Sequence, residues 1–143
     1  MIAYADTGFL ISLYGHDANS TQAGKLVRTR PIFLLTALGE AEFTNAVELQ
    51  VFRKQWTRTE ARQVREEFVR HQRTGLFRIQ PIDQELWEKA LSLSGKHSAK
   101  LGTRTLDLLH VAAALVLETE AIYTFDERQR KLARAVRLRT LPA

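Results

Sequence analysis

The stretch YADTGFL, residues Tyr4 to Leu10, sets the reading of the whole chain. The apolar run Ile2-Ala3-Tyr4-Ala5 leads into it and stops at one acid, Asp6. A hydroxyl, Thr7, and a glycine, Gly8, follow, and then a second, largely apolar run from Phe9 to Leu13. This reads as a short strand over Ile2–Ala5 that passes directly into a helix over Thr7–Tyr14. A carboxylate in such company is expensive to bury unless something pairs with it. The rest of the sequence has to supply that partner.

Outward from this point, short apolar runs alternate with longer helix-like segments. Asn19 or Ser20 is placed to cap a helix running to about Arg28. Ile32–Leu35 reads as a strand, and Thr36 caps a long helix to about Lys54. Thr57–Arg73 is a charged helix with Ala61, Val64 and Phe68 on one face. Leu76–Ile79 reads as a strand ended by Pro81, and Asp83–Lys96 as an amphipathic helix. Thr105–Leu117 is a nearly all-apolar helix, expected at the centre of the molecule. Ala121–Phe125 reads as a strand, Glu127–Ala135 as a helix, and Val136–Leu138 as a last strand. Such alternation predicts an α/β protein with a parallel sheet and helices on both faces. Ligand sites of that architecture lie at the carboxyl ends of the strands, where Asp6 falls.

Composition limits the chemistry. The 143 residues fit one domain, 1–143, with no repeat and no linker. There is no cysteine, which excludes disulfides, a thiolate nucleophile and cysteine-ligated metals. No apolar run approaches the roughly 20 residues of a membrane helix, and the N-terminal segment does not read as a signal peptide. A soluble cytoplasmic protein is therefore expected. The net charge of +5 favours polyanionic partners such as nucleic acid. The cations near the C-terminus (Arg128, Arg130, Lys131, Arg134, Arg137 and Arg139) serve equally as a phosphate grip or as a solvated face. Phe68, Trp56 and Trp87 form no readable stacking platform and are assigned to core packing.

Most of the acids lie on charged helix surfaces, but four lie in apolar places. Asp6 and Asp126 follow strands, and each has a plainer explanation as a helix N-cap. Asp107 falls in the first turn of the most apolar helix, where an acid also complements the helix dipole. Glu42 shares a helical stripe with Leu38, Asn45, Leu49 and Phe52; Glu40, on a stripe with Phe43, Val47 and Val51, is nearly as good a candidate on spacing. Together the four acids point to one sheet edge. Carboxylates held close together raise one another's pKa, and a divalent cation removes the conflict. An oxygen-only ligand set suits Mg²⁺ or Mn²⁺, and metal-bound water is a nucleophile for phosphodiesters.

The segments YADTGFL, LTALGEAEFTNAV, TRTLDLLHVAAAL and IYTFDERQRKLA, in this order, resemble the PIN-domain family and within it the VapC-like toxin ribonucleases. The resemblance implies a three-layer α/β/α sandwich and an acid cluster that binds Mg²⁺ or Mn²⁺ and cleaves RNA. Matched by position, the acids are Asp6, Glu42, Asp107 and Asp126. EFTNAV selects Glu42 over Glu40. Thr7, Asn45 and Thr124 are the supporting polar residues, and His110 is expected to pack or to support the acids rather than to bind the ion. The resemblance further implies a cognate antitoxin protein and a homodimer. A PIN-fold module that binds RNA or protein without cutting is the alternative.

Overall fold

The computed structural model describes residues 1–143. Five parallel strands form one sheet in the order β3-β2-β1-β4-β5. They are β1 (Ile2–Ala5), β2 (Ile32–Thr36), β3 (Phe77–Gln80), β4 (Ala121–Tyr123) and β5 (Arg139–Leu141). Residues Ala3 and Ala5 pair with Ala121 and Tyr123 on one side of β1, and Ile2 to Tyr4 pair with Ile32 to Leu34 on the other. The chain builds outward from β1 through β2 to β3 and then crosses back to β4. The crevice at the carboxyl ends of β1 and β4 is thus the switch point where such sheets bind ligands.

Side-chain alternation along the strands divides the interior into two cores. Ala3, Ala5, Phe33, Leu35, Phe77, Ala121 and Tyr123 face one side, with Phe9, Phe43, Val47, Trp56 and Phe68 packed on them. These come from α1 (Thr7–Tyr14), α2 (Ser20–Val27), α3 (Ala37–Phe52) and α4 (Arg58–Arg73), with the loop that holds Trp56. Tyr4 and Ile122 face the other side. There they meet α5 (Gln84–Leu93), α7 (Thr105–Val116) and α8 (Glu127–Ala135). The result is the expected α/β/α sandwich. Helix α7 is central, with all eight residues from Asp107 to Ala114 buried. Burial on this scale is what makes an apolar helix without a polar face stable. No helix is long and apolar enough to cross a membrane.

Several local expectations need correction. The last strand is Arg139–Leu141 and not Val136–Leu138. Val136–Leu138 instead closes α8: Arg137 adopts φ +60°, its N–H donates to the Arg134 carbonyl, and the Leu138 N–H reaches back to the Ala133 carbonyl. This is the paired-bond helix stop that usually uses glycine. The helix starting near Asp83 does not end at Lys96; it continues through a π-helical turn (Ser94–Ser98) into α6 (Ala99–Leu101) and stops at Gly102, with φ +64°. Neither Asn19 nor Ser20 caps α2 through its side chain; the turn before it is closed by Asp17, whose carboxylate accepts from the Asn19 N–H at 2.8 Å. Trp56 and Phe68 are core residues, but Trp87 is 44% exposed. Thr36 caps α3 as expected, accepting from the Gly39 N–H.

Candidate active site

The four acids reach one cleft from four different elements. Asp6 leaves the end of β1, Glu42 sits in the second turn of α3, Asp107 in the first turn of α7, and Asp126 just before α8. All four line a cavity of about 590 Å³, together with Thr7, Asn45, His110, Arg104 and Gln129. Thr124 lies beneath it, fully buried.

Asp6 is 5% exposed and has the partners that a buried carboxylate needs. One oxygen accepts from the Phe9 N–H at 2.7 Å, capping α1. The other accepts from Gln129 Nε2 at 2.7 Å. Burial nevertheless pushes its pKa up; the Thr124 hydroxyl and His110 pull it back, and the Asp126 charge adds to the rise. An ionised Asp6 is therefore held at a cost that a cation in the cleft would relieve.

Glu42 is oriented by two donors. The Thr7 hydroxyl donates to its Oε1, and His110 Nε2 contacts the same oxygen at 2.6 Å. Burial raises its pKa, but the His110 hydrogen bond and charge, Thr7 and Arg104 outweigh that, and the net direction is down. His110 is only 4% exposed, and its Nδ1 lies 2.7 Å from the Tyr4 hydroxyl, itself fully buried. A carboxylate can only accept, so Nε2 carries the proton; in the neutral ring Nδ1 then accepts from Tyr4. The chain Tyr4 to His110 to Glu42 runs from the core to the cleft. His110 thus bonds to Glu42 and Tyr4 rather than merely packing.

The Glu42 stripe is not buried. Asn45 is exposed and Phe52 is 82% exposed. It is the Glu40 stripe, through Phe43 and Val47, that enters the core. Glu42, one residue before the core residue Phe43 on α3, instead meets Thr7 of α1 and His110 of α7 at the cleft.

Asp107 is 4% exposed, and Asp126 is partly open. Asp107 accepts from the backbone N–H of Arg104 at 3.0 Å, closing the start of α7. Asp126 caps α8 through the Gln129 N–H at 3.1 Å, and its own N–H donates to Thr124 Oγ1 at 3.0 Å. The plainer capping readings of Asp6 and Asp126 are therefore correct as far as they go. Capping occupies one oxygen of each; the other accepts from the Gln129 side chain in Asp6 and from Arg104 in Asp126.

Three residues of the site carried no signal in the sequence reading: Tyr4, Arg104 and Gln129. Gln129 and Arg104 each lie three residues from a site acid, Asp126 and Asp107 respectively, a spacing that helix-start chemistry favours. The guanidinium of Arg104 spans two acids, with Nη2 at 2.9 Å from Asp126 and Nε at 3.2 Å from Asp107. No group of three His, Asp or Glu side chains is assembled at metal-binding distance. The donor set itself, four carboxylates and no nitrogen or sulfur competitor beyond His110, is of the kind that Mg²⁺ and Mn²⁺ take.

The PIN-domain family model matches residues 3–135. The chain belongs to the PIN-domain family. Solved structures share this PIN domain's fold at low identity. FitAcB from Neisseria gonorrhoeae is 18% identical, with TM-score 0.70, covering 98% of this chain and 96% of that one. VapC20 from Mycobacterium tuberculosis, described as a sarcin-ricin loop cleaving toxin, is 18% identical, with TM-score 0.69, covering 90% and 93%. VapBC2 from Rickettsia felis, bound to a DNA fragment from its promoter, is 15% identical, with TM-score 0.68, covering 98% and 97%. No curated protein sequence matches the chain. Among the C-terminal cations, Arg130 is 7% exposed and donates to the Thr124 carbonyl at 3.1 Å, so it braces the β4–α8 connection and is not available to RNA.

Proposed function

We propose that this PIN domain is a metal-dependent endoribonuclease acting as the toxin of a type II toxin–antitoxin pair. One observation carries the reading: four acids from β1, α3, α7 and the β4–α8 connection face a single cleft at the switch point of the sheet. Asp6, Glu42, Asp107 and Asp126 are the residues that would hold Mg²⁺ or Mn²⁺. When bound, such an ion supplies an activated water and charge stabilisation at the scissile phosphate. Thr7 and His110 hold the Glu42 carboxylate, and Gln129 and the Phe9 N–H hold Asp6, so the orientation of these two acids does not depend on a ligand. Thr124 supports the loop that carries Asp126, and Asn45 borders the cleft beside Glu42. The basic overall charge draws RNA toward an acidic pocket that would otherwise repel it.

The partners follow from the same reading. A toxin–antitoxin complex from Klebsiella pneumoniae shares the fold at 16% identity and TM-score 0.62, covering 87% of this chain and 86% of that one, and a cognate antitoxin covering this cleft is proposed by analogy with it; a homodimer and a cytoplasmic location are proposed from the resemblance to VapC-like toxins. The Arg104 bridge across Asp107 and Asp126 favours one competing reading, a PIN-fold module that binds RNA or protein without cutting.

Cleavage of a mixed cellular RNA pool separates the two. The protein is assayed with Mn²⁺, with EDTA, and as the Asp6→Asn and Asp107→Asn variants. Metal-dependent cutting that both variants lose supports the nuclease. Absence of cutting, together with absence of Mn²⁺ binding in calorimetry, would establish the binding module instead.

A further inference from the structure

Arg104 is the one Lys or Arg among the residues lining the acid cleft, which otherwise holds four carboxylates. Its guanidinium makes three contacts there: Nε to Asp107 Oδ2 at 3.2 Å, Nη2 to Asp107 Oδ1 at 3.3 Å, and Nη2 to Asp126 Oδ2 at 2.9 Å. The side chain is still 56% exposed, so little packing holds it in place. Its backbone role is separate, since the Arg104 N–H is satisfied by Asp107 whatever the side chain does.

We propose that Arg104 is the resident cation of the cleft: it holds Asp107 and Asp126 until a divalent ion displaces it, and the freed fork then takes an RNA phosphate. The inference rests on the metal-dependent reading of the same site. Two carboxylates on separate helices repel each other unless a cation stands between them. A guanidinium does this with a single charge and leaves the start of α7 and the start of α8 in register. A divalent ion bound by the same oxygens carries twice the charge, and both cannot occupy one seat. Once displaced, Arg104 remains beside the cleft with its planar donors unpaired, and a phosphodiester is the acceptor that such a fork matches. Occupancy by Arg104 also lowers the apparent metal affinity by the fraction of molecules in which the seat is taken. Metal binding and RNA binding are thereby coupled through one side chain.

The test uses metal-free full-length protein. Calorimetric titration with Mn²⁺ compares the wild type with Arg104→Gln and Arg104→Lys. Arg104→Gln is expected to bind Mn²⁺ roughly two- to fivefold more tightly, the worth of a partly exposed ion pair, and Arg104→Lys to fall between. The Arg104 Nε–H signal in a ¹⁵N NMR titration with Mg²⁺ is expected to lose its protection from exchange as the ion binds. Anisotropy of a labelled RNA then follows the second half, with Ca²⁺ as the ion and strand integrity checked on a gel. Ca²⁺ is expected to strengthen RNA binding to the wild type and to do so less in Arg104→Gln.

Unchanged or weaker Mn²⁺ binding in Arg104→Gln, or an Nε–H signal unmoved at saturating Mg²⁺, would overturn the displacement. Tighter Mn²⁺ binding without any change in RNA affinity would overturn the phosphate role alone. If neither wild type nor Arg104→Gln binds Mn²⁺, the metal reading of the site fails and this inference with it; if the wild type binds and the variant is no different, only this inference fails.

Discussion

Replacing Tyr4 with Phe removes one oxygen from the core and tests whether the core orients the site. Tyr4 is fully buried in the middle strand, and its hydroxyl is the 2.7 Å partner of His110 Nδ1. His110 is 4% exposed, so solvent does not replace the lost partner. A buried polar group left without its partner costs about 1–3 kcal/mol. For a chain of this size the unfolding entropy is roughly 0.3 kcal/mol per kelvin, so Tm falls by roughly 3–10 °C. The ring itself still packs, because Phe keeps nearly all of the buried apolar area, and a larger loss is not expected. The second effect is local: His110 loses the contact that fixes its Nε2 toward Glu42. Differential scanning calorimetry measures the first effect, and the side-chain carboxyl shift of Glu42 under pH titration measures the second. Its pKa, now held below the ordinary value, is expected to rise in Tyr4→Phe. A Tm within 1 °C of wild type, with Glu42 titrating as before, would refute the claim that a bonded chain links core and cleft.

Gln129→Leu leaves the second oxygen of Asp6 without its 2.7 Å donor in a fully buried setting; a loss of about 1–3 kcal/mol in urea unfolding is expected, with the Asp6 pKa rising further. Gly15→Ala is expected to destabilise by about 1–3 kcal/mol and to shift Trp56 fluorescence, because a Cβ there would meet the Ile11 carbonyl and the Trp56 ring, each at 2.8 Å. His71 gives a pH dependence. Its pKa is lowered, first by burial and then by Arg70, so the stability it contributes is complete above the unfolded value, about 6.5, and is lost as the pH falls through the folded value. Asp6 acts in the opposite sense, since its raised pKa makes the folded state regain stability on acidification. The Tm of wild type minus that of His71→Gln, measured from pH 7.5 to 5.5, is therefore expected to shrink as the pH drops; a constant difference would refute the assignment.

The alternation of apolar runs and amphipathic helices, together with the capping residues Asp6, Thr36 and Asp126, was enough to determine the parallel sheet and the order of the elements along the chain. The caps are local chemistry, and three of them were readable from the chain, while the one expected of Asn19 or Ser20 was not made. Asp6, Asp107 and Asp126 stood out as charge in apolar surroundings, whereas Glu42 was separated from Glu40 only by the resemblance of EFTNAV to the family pattern. Helix ends were less legible. Arg30, Lys54, Glu118 and Arg137 all adopt positive φ where a glycine would have announced a stop. The last strand was accordingly misplaced, with Val136–Leu138 turning out to be the close of α8.

Only the tertiary structure decided how the acids are held. Gln129 is 123 residues from Asp6, Tyr4 is 106 from His110, and His110 is 68 from Glu42. No local pattern encodes such pairs, because they exist only once parallel strands bring distant chain ends to one edge of a sheet. The same holds for Arg104: on the sequence it is one of 21 basic residues. In the fold it is the cation that lies between Asp107 and Asp126, because α7 and α8 both begin at the edge where β1 and β4 end.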